Sequence, residues 1–285
     1  MSDGTDPSDE GTRTIRVEAL ARVEGEGAMH VEIRDGALVG VELQIYEPPR
    51  FYEAFLRGRR HTEPPDLTAR ICGICPVAYQ MSACEAIEDA CGVVVDGPLR
   101  DLRRLLYCGE WIESHTLHVY LLHAPDFLGY HGAIEMAADH REKVEAGLAL
   151  KKVGNRIVEV VGGRAIHPVN VRVGGFHRAP TRAELRPLLD DLYRVRPIAE
   201  ETVRFVAGLD FPDLTHDHDL VALARPDEYA VVGGRIASAS GLDLAASEFP
   251  DHFVEEHVAR SNALHAHRAD GGRYLVGPVA VFPLG

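Results

Sequence analysis

The sequence predicts an α+β fold, mostly helical, in which an N-terminal β element is followed by a bundle of long helices. Three observations carry this. Apolar and polar residues alternate with period two between Thr14 and Ile45. Between Phe51 and Ala207 the apolar period becomes helical, interrupted by Pro and Gly. Beyond residue 208 the pattern shortens, with several Gly and Pro and only brief strand-like pieces.

Residues 1–13 are rich in Asp, Gly and Ser and are expected to form a disordered tail. Ile15, Val17 and Ala19 alternate with Arg16 and Glu18, and Met29, Val31 and Ile33 alternate with His30, Glu32 and Arg34. Asp35-Gly36 signals a hairpin, with Leu38 to Ile45 as the returning strand, and Pro48-Pro49 closes the region. A short amphipathic stretch runs from Phe51 to Arg59 and is expected to break at Pro64-Pro65. Pro76 suits the first turn of a helix reaching about Ala90 and stopping at Gly92. Further helices are predicted from Leu99 to Leu122, ending before Pro125, from Asp139 to Val161, ending at Gly162-Gly163, and from the N-cap Thr181 to Ala207. Strand-like pieces fall at Tyr229–Val232 and Tyr274–Val276.

With 285 residues, 46% apolar and 26% charged, the chain can bury a sizeable core, which excludes disorder throughout. No fixed repeat is present. A formal charge of −14 argues against nucleic acid or an anionic membrane as a main partner. No apolar run approaches the roughly 20 residues that span a bilayer, so direct membrane insertion is not expected. The first residues lack the apolar stretch of a signal peptide, and the cytoplasm is the expected compartment.

The five cysteines lie between Cys72 and Cys108. An odd number in so short a span does not make a secreted disulfide framework. Arg70-Ile71-Cys72-Gly73-Ile74-Cys75-Pro76 places two of them three residues apart at a predicted helix start. A structural zinc site would need two more ligands, and no second CxxC exists in the chain. A thiol–disulfide site would ordinarily sit in a βαβ unit, which the pattern lacks. A soft-metal site for nickel or iron is the third reading, with the positive helix end and Arg70 favouring the thiolates and Gly73 keeping the turn compact. His216-Asp217-His218-Asp219 could hold a divalent ion, but a solvated acidic loop is the plainer expectation, as it is for His265 and His267.

The chain resembles the large subunit of nickel–iron hydrogenases. Arg22 to Gly27 is similar to that family's N-terminal RxEG motif, and Arg70 to Cys75 to its first cysteine motif, RxCGxC. Glu113 to Tyr120 with Pro125-Asp126, then His167-Pro168 with Gly174-Gly175, then Tyr274 to Pro278 follow in the family's order. The run from Cys75 to Ala83 most resembles the cytosolic, nicotinamide-coupled branch.

The resemblance implies a nickel–iron centre, its iron bearing diatomic ligands, with Cys72 a terminal nickel ligand and Cys75 bridging nickel and iron. It implies that Glu24 relays protons, because heterolytic cleavage of H2 needs a nearby base. Glu53, 19 residues before Cys72, would bind a structural Mg2+. Arg70, Tyr79 and His115 would support the ligands from around them. Cys84, Cys91 and Cys108 are expected to be buried, inert thiols. The implied partners are an iron–sulfur small subunit, flavin- and NAD(P)-binding electron-transfer subunits and hydrogenase maturation factors.

The chain departs from the family at Tyr79 and Glu26, both often histidine there, and in having no cysteine after Cys108. The family's second CxxC and its C-terminal magnesium-binding histidine have no counterpart, so only half of a four-thiolate nickel site is present. The expected organisation is therefore a C-terminally incomplete large-subunit domain over 14–285, with a β element at 14–47, a helical core at 48–207 and a mixed region at 208–285. The expected activity is reversible oxidation of H2, with the isolated chain inactive. The alternative is a non-catalytic scaffold or fragment related to the quinone-site subunit of respiratory complex I, against which the retained cysteine pair argues.

Overall fold

A computed structural model describes residues 11–215 and 217–284, with side chains described to Val281. The chain divides into two compact units, residues 1–50 with 216–285, and residues 51–215.

In the first unit, β1 (Thr12–Val17), β2 (Gly27–Arg34) and β3 (Ala37–Ile45) form an antiparallel sheet in that order. β1 begins inside the segment expected as tail, because Thr12 pairs with Arg34 and extends the ladder. Residues 1–10 of that expected tail lie outside the described residues. The hairpin signal is realised: Asp35 and Gly36 both adopt left-handed φ, 49° and 78°, which a tight two-residue turn requires. The returning strand carries a bulge opposite Glu32/Ile33.

Helical structure fills the second unit. α1 (Tyr52–Leu56) is followed by α2 (Pro64–Thr68), so Pro64 opens a helix where a break was expected. Proline lacks the N–H that a first helical position leaves unused. α3 (Pro76–Cys91) ends on left-handed Gly92. α4 (Gly97–Thr116) starts at Asp96, whose side chain caps Gly97 N at 2.7 Å. The expected stop before Pro125 is absent. A π-helical turn, Leu117–His123, leads directly into α5 (Ala124–Leu128), and Ala124 N–H reaches back five residues to Val119. The wider turn makes room for the Pro125 ring without ending the helix.

α6 (Ala133–Met136), α7 (Arg141–Gly162), the short strands β4 (Val171–Arg172) and β5 (Gly175–Phe176), and α8 (Arg182–Ala207) complete the unit. At the start of α8, Thr181 and Glu184 form a reciprocal capping box. The core lies among α3, α4, α7 and α8, with Val77, Met81, Leu106, Val153, Ile157 and Val161 fully buried. α4 and α7 cross at small residues. A Cβ on Gly154 would stand 2.6 Å from Glu113 N and 2.7 Å from Gly109 O.

The rest of the first unit holds β6 (Asp219–Ala224), β7 (Arg235–Ser238), β8 (Asp243–Leu244), α9 (Phe249–His252), β9 (Phe253–Glu256), β10 (His265–Arg268), β11 (Tyr274–Leu275) and α10 (Pro278–Leu284). The sheet order is β11-β6-β7-β8, with β9 and β10 paired separately. The strand expected at Tyr229–Val232 is irregular, since the ladder pairs β6 with β7 and those residues form the connection. Asp219 is not in a solvated loop. It sits on β6 and takes hydrogen bonds from Ser240 N and Oγ, both 3.0 Å, and an ion pair from Arg268. His265 and His267 are half-buried on β10, and His216 lies outside the described residues.

Among the described residues, no helix is long and apolar enough to cross a membrane.

Candidate metal centre

A 3-10 turn (Ala69–Ile71) delivers the chain to Cys72, which is extended at φ −141°, ψ 144°. Cys75 takes the capping position before α3, and Pro76 is the first helical residue. The backbone N–H groups of this stretch are divided between two acceptors. Ile74 N and Cys75 N donate to Cys72 Sγ at 3.3 and 3.4 Å. Pro76 has no N–H. Val77 N and Ala78 N donate to the Glu110 carboxylate at 2.6 and 3.3 Å. Two donors converging on Cys72 Sγ fix the direction in which that sulfur faces.

The open end of α3 was expected to serve the thiols. Glu110, buried on α4, occupies it instead. Burial pushes the Glu110 carboxyl up to about 7, against the two N–H bonds that pull it down. Glu113, one turn further along α4, is ion-paired with Lys151 of α7.

Gly73 is not needed to keep the turn compact. Its φ lies outside the left-handed region, and a Cβ there would meet nothing within 4 Å. The N–H···S bonds hold the turn, and Gly73 leaves open space beside it.

The turn is anchored from behind by His167-Pro168. His167 Nδ1 bonds the Ala69 carbonyl at 2.7 Å, which requires the proton on Nδ1, since a carbonyl only accepts. Gln80, fully buried on α3, donates Nε2 to Pro168 O at 2.9 Å. His167 itself is held at a left-handed φ of 50°, and Arg164 Nε donates to its carbonyl at 2.7 Å. At the far end of α3, buried Glu88 accepts both terminal nitrogens of buried Arg103, at 2.6 and 2.8 Å, and the Gly174 N–H at 2.7 Å. Burial raises the Glu88 carboxyl, but the Arg103 and Gly174 hydrogen bonds outweigh it and hold the group below its ordinary value.

The other expected site residues are placed as follows. Arg70 is exposed in the middle of the 3-10 turn. Tyr79 is exposed on α3, and its carbonyl accepts Thr68 Oγ1 at 3.1 Å. Glu53 is exposed in the first turn of α1. His115 is exposed on α4 and stacks on Trp111, ring centroids 5.7 Å apart. Glu24 belongs to the first unit, in the exposed segment between β1 and β2. Cys72 and Cys75 are thus brought together by one turn. Cys84 is fully buried, with its thiol pushed up to about 12 by burial, and burial also raises half-buried Cys108. Cys91, expected to be buried, is exposed, because it is the last residue of α3 and lies beyond the helix's packed face.

Among the described residues, no group of three or more His, Cys, Asp or Glu side chains is gathered to hold an ion. The donors present are two soft thiols on one turn. They fit half of a thiolate-held nickel or iron site. Glu53 alone does not make a magnesium site.

Glu110, Gln80 and the Glu88–Arg103 pair were not found by spacing. The available signal was charge and amide on helix faces that otherwise bury apolar side chains.

Residues 50–148, which include this turn and both of its α4 carboxylates, match the nickel-dependent hydrogenase family. The sulfhydrogenase 1 subunit alpha of Pyrococcus furiosus is 34% identical over 271 residues, covering 93% of this chain and 62% of that relative. Residues 50–148 thus belong to the nickel-dependent hydrogenase family, and over 93% of its length the chain is similar to an alpha subunit of such an enzyme.

A second large-subunit relative, the sulfhydrogenase 2 subunit alpha of the same organism, is 43% identical over 176 residues, 62% of this chain and 43% of that one. The solved NAD+-reducing [NiFe]-hydrogenase in its H2-reduced state superposes with a TM-score of 0.87 at 28% identity, over 96% of this chain and 66% of that chain. The Ni-Fe-Se hydrogenase of D. vulgaris Hildenborough shares the fold, with a TM-score of 0.76 at 22% identity. The α+β, mostly helical architecture of this chain is therefore that of hydrogenase large subunits. The chain spans less than two thirds of the length of these large-subunit relatives.

Proposed function

We propose that this chain carries one thiolate pair of a nickel–iron hydrogenase large subunit, an oxidoreductase for the reversible conversion of H2 to protons and electrons. The Cys72–Cys75 turn supports this most directly, because one sulfur already receives two N–H donors and both lie within the family match. In this reading Cys72 would hold the nickel and Cys75 both the nickel and the iron of a centre whose iron carries diatomic ligands. When bound, the centre polarises H2 for heterolytic cleavage.

The chain's own groups do the rest. The Glu24 carboxylate takes the released proton, Arg70 balances the thiolate charge, and Tyr79 and His115 orient the surroundings. Glu53 supplies a carboxylate to a structural Mg2+. Electrons leave through an iron–sulfur small subunit, toward flavin- and NAD(P)-binding subunits of the nicotinamide-coupled branch. Hydrogenase maturation factors load the metals, and the assembly works in the cytoplasm. Only two thiolates are gathered among the described residues, so a preparation of these 285 residues alone is expected not to turn over.

Metal analysis after anaerobic expression with maturation factors tests the assignment. Bound nickel and iron are expected, and Cys75→Ser is expected to lose the iron. Iron content unchanged by Cys75→Ser would refute the bridging role. Robust H2 uptake by the 285-residue chain alone would refute its dependence on further thiolates.

A further inference from the structure

The three-stranded sheet of the first unit shows one apolar face that nothing else described in that unit covers. The register sets Ile15 opposite Val31 and Val31 opposite Val41, with Met29 opposite Leu43. Directly opposed residues share a face, so these side chains form one patch. Leu38, Val41, Leu43 and Ile15 are 63, 58, 43 and 36% exposed. The other face is polar, with Thr14, Arg16, His30, Glu32 and Glu42. Period-two alternation normally marks a sheet whose apolar face is packed on a core, and a contiguous exposed apolar patch marks an interface.

We propose that this face is the seat of the further polypeptide by which the large-subunit relatives exceed the stretch matched here, whether that polypeptide is continuous with this chain or separate. The proposal rests on the large-subunit reading. Three observations select this occupant. The relatives carry a third or more of their length without a counterpart in this chain, which covers 62% of one and 66% of another. The last described helix, α10, packs on β6 in the same unit as the sheet, so chain following the matched stretch emerges in that unit. A second copy is disfavoured on two grounds. Each copy carries −14, and like-charged copies repel. The end of the β3 edge is already paired, with Ile45 N to Arg260 O at 3.0 Å and Asn262 N to Ile45 O at 2.8 Å.

Maleimide labelling of Val41→Cys, resolved by peptide mass, tests the proposal. The same position is substituted in the full-length sulfhydrogenase 1 subunit alpha, both isolated and assembled with its partner subunits. Thr14→Cys, on the polar face, is the control and should label at similar rates throughout. Leu43→Cys repeats the measurement should Val41→Cys fail to fold. The expected result is fast labelling in this chain and at least hundredfold slower labelling in the isolated full-length subunit. Equal rates in those two proteins overturn the proposal. Protection only after partner subunits are added assigns the face to them and overturns it too. Protection in this chain that grows with its own concentration assigns the face to a second copy. These rates need no bound metal, so failure of the nickel–iron assignment would be seen separately in the metal content.

Discussion

The Glu110 carboxylate accepts the Val77 N–H at 2.6 Å from 33 residues along the chain, tying α4 to the first turn of the helix that follows Cys75. Its carboxyl is raised to about 7 in the folded protein, above the ordinary 4.5. The folded state therefore prefers the neutral form. Stability is fully present below the unfolded value and is lost as pH rises from about 4.5 through 7. Between pH 5 and pH 8, Glu110→Gln should gain on the wild type by on the order of 3 kcal/mol, read as the difference between their urea unfolding free energies. The same difference at both pH values would disprove the assignment.

Glu88 and Arg103 form a buried ion pair that also holds the Gly174 N–H. Glu88→Ala leaves an uncompensated guanidinium and should cost roughly 3–5 kcal/mol in chemical denaturation. In a double-mutant cycle, Glu88→Leu with Arg103→Met should cost less than the two single substitutions added together. Additive costs would show that the pair is not coupled.

Gly154→Ala should destabilise by roughly 1–3 kcal/mol, because its Cβ would run into the backbone of Glu113 and Gly109 rather than a flexible side-chain end. Gly73→Ala, with open space at its Cβ, should change the unfolding midpoint little. A large loss at Gly73 and none at Gly154 would reverse the packing argument.

Thr181→Ala removes the hydroxyl that accepts Glu184 N at 3.3 Å and should cost about 1 kcal/mol by thermal unfolding. Restoration by Thr181→Ser and not by Thr181→Val would attribute the loss to the cap.

Features that depend on a few adjacent residues were legible in the sequence. The Asp35-Gly36 turn, the Gly92 stop, the Thr181 cap and the Cys72–Cys75 pair at a helix start are all where local chemistry puts them. Features fixed by partners far along the chain were not legible. Glu110 reads as one more helix carboxylate until α3 is set against α4, and His167 reads as an isolated histidine until its ring meets Ala69, 98 residues earlier. Pro125 misled for a related reason. A proline ends an α-helix by clashing with the preceding turn, and the sequence did not disclose that this turn is wider.

That wider turn bears on how residues are matched between relatives. A π turn amounts to one residue inserted into an α-helix, and each residue turns the helix by about 100°. His118 and His123, five positions apart, bring their rings together with centroids 4.1 Å apart and planes tilted by 46°, a spacing that an α-helix would place on different faces. An alignment that carries the frame of Gly97–Thr116 unbroken into Ala124–Leu128, against a relative without the π turn, assigns each later side chain to its neighbour's place. A one-residue gap within Leu117–His123 restores the correspondence.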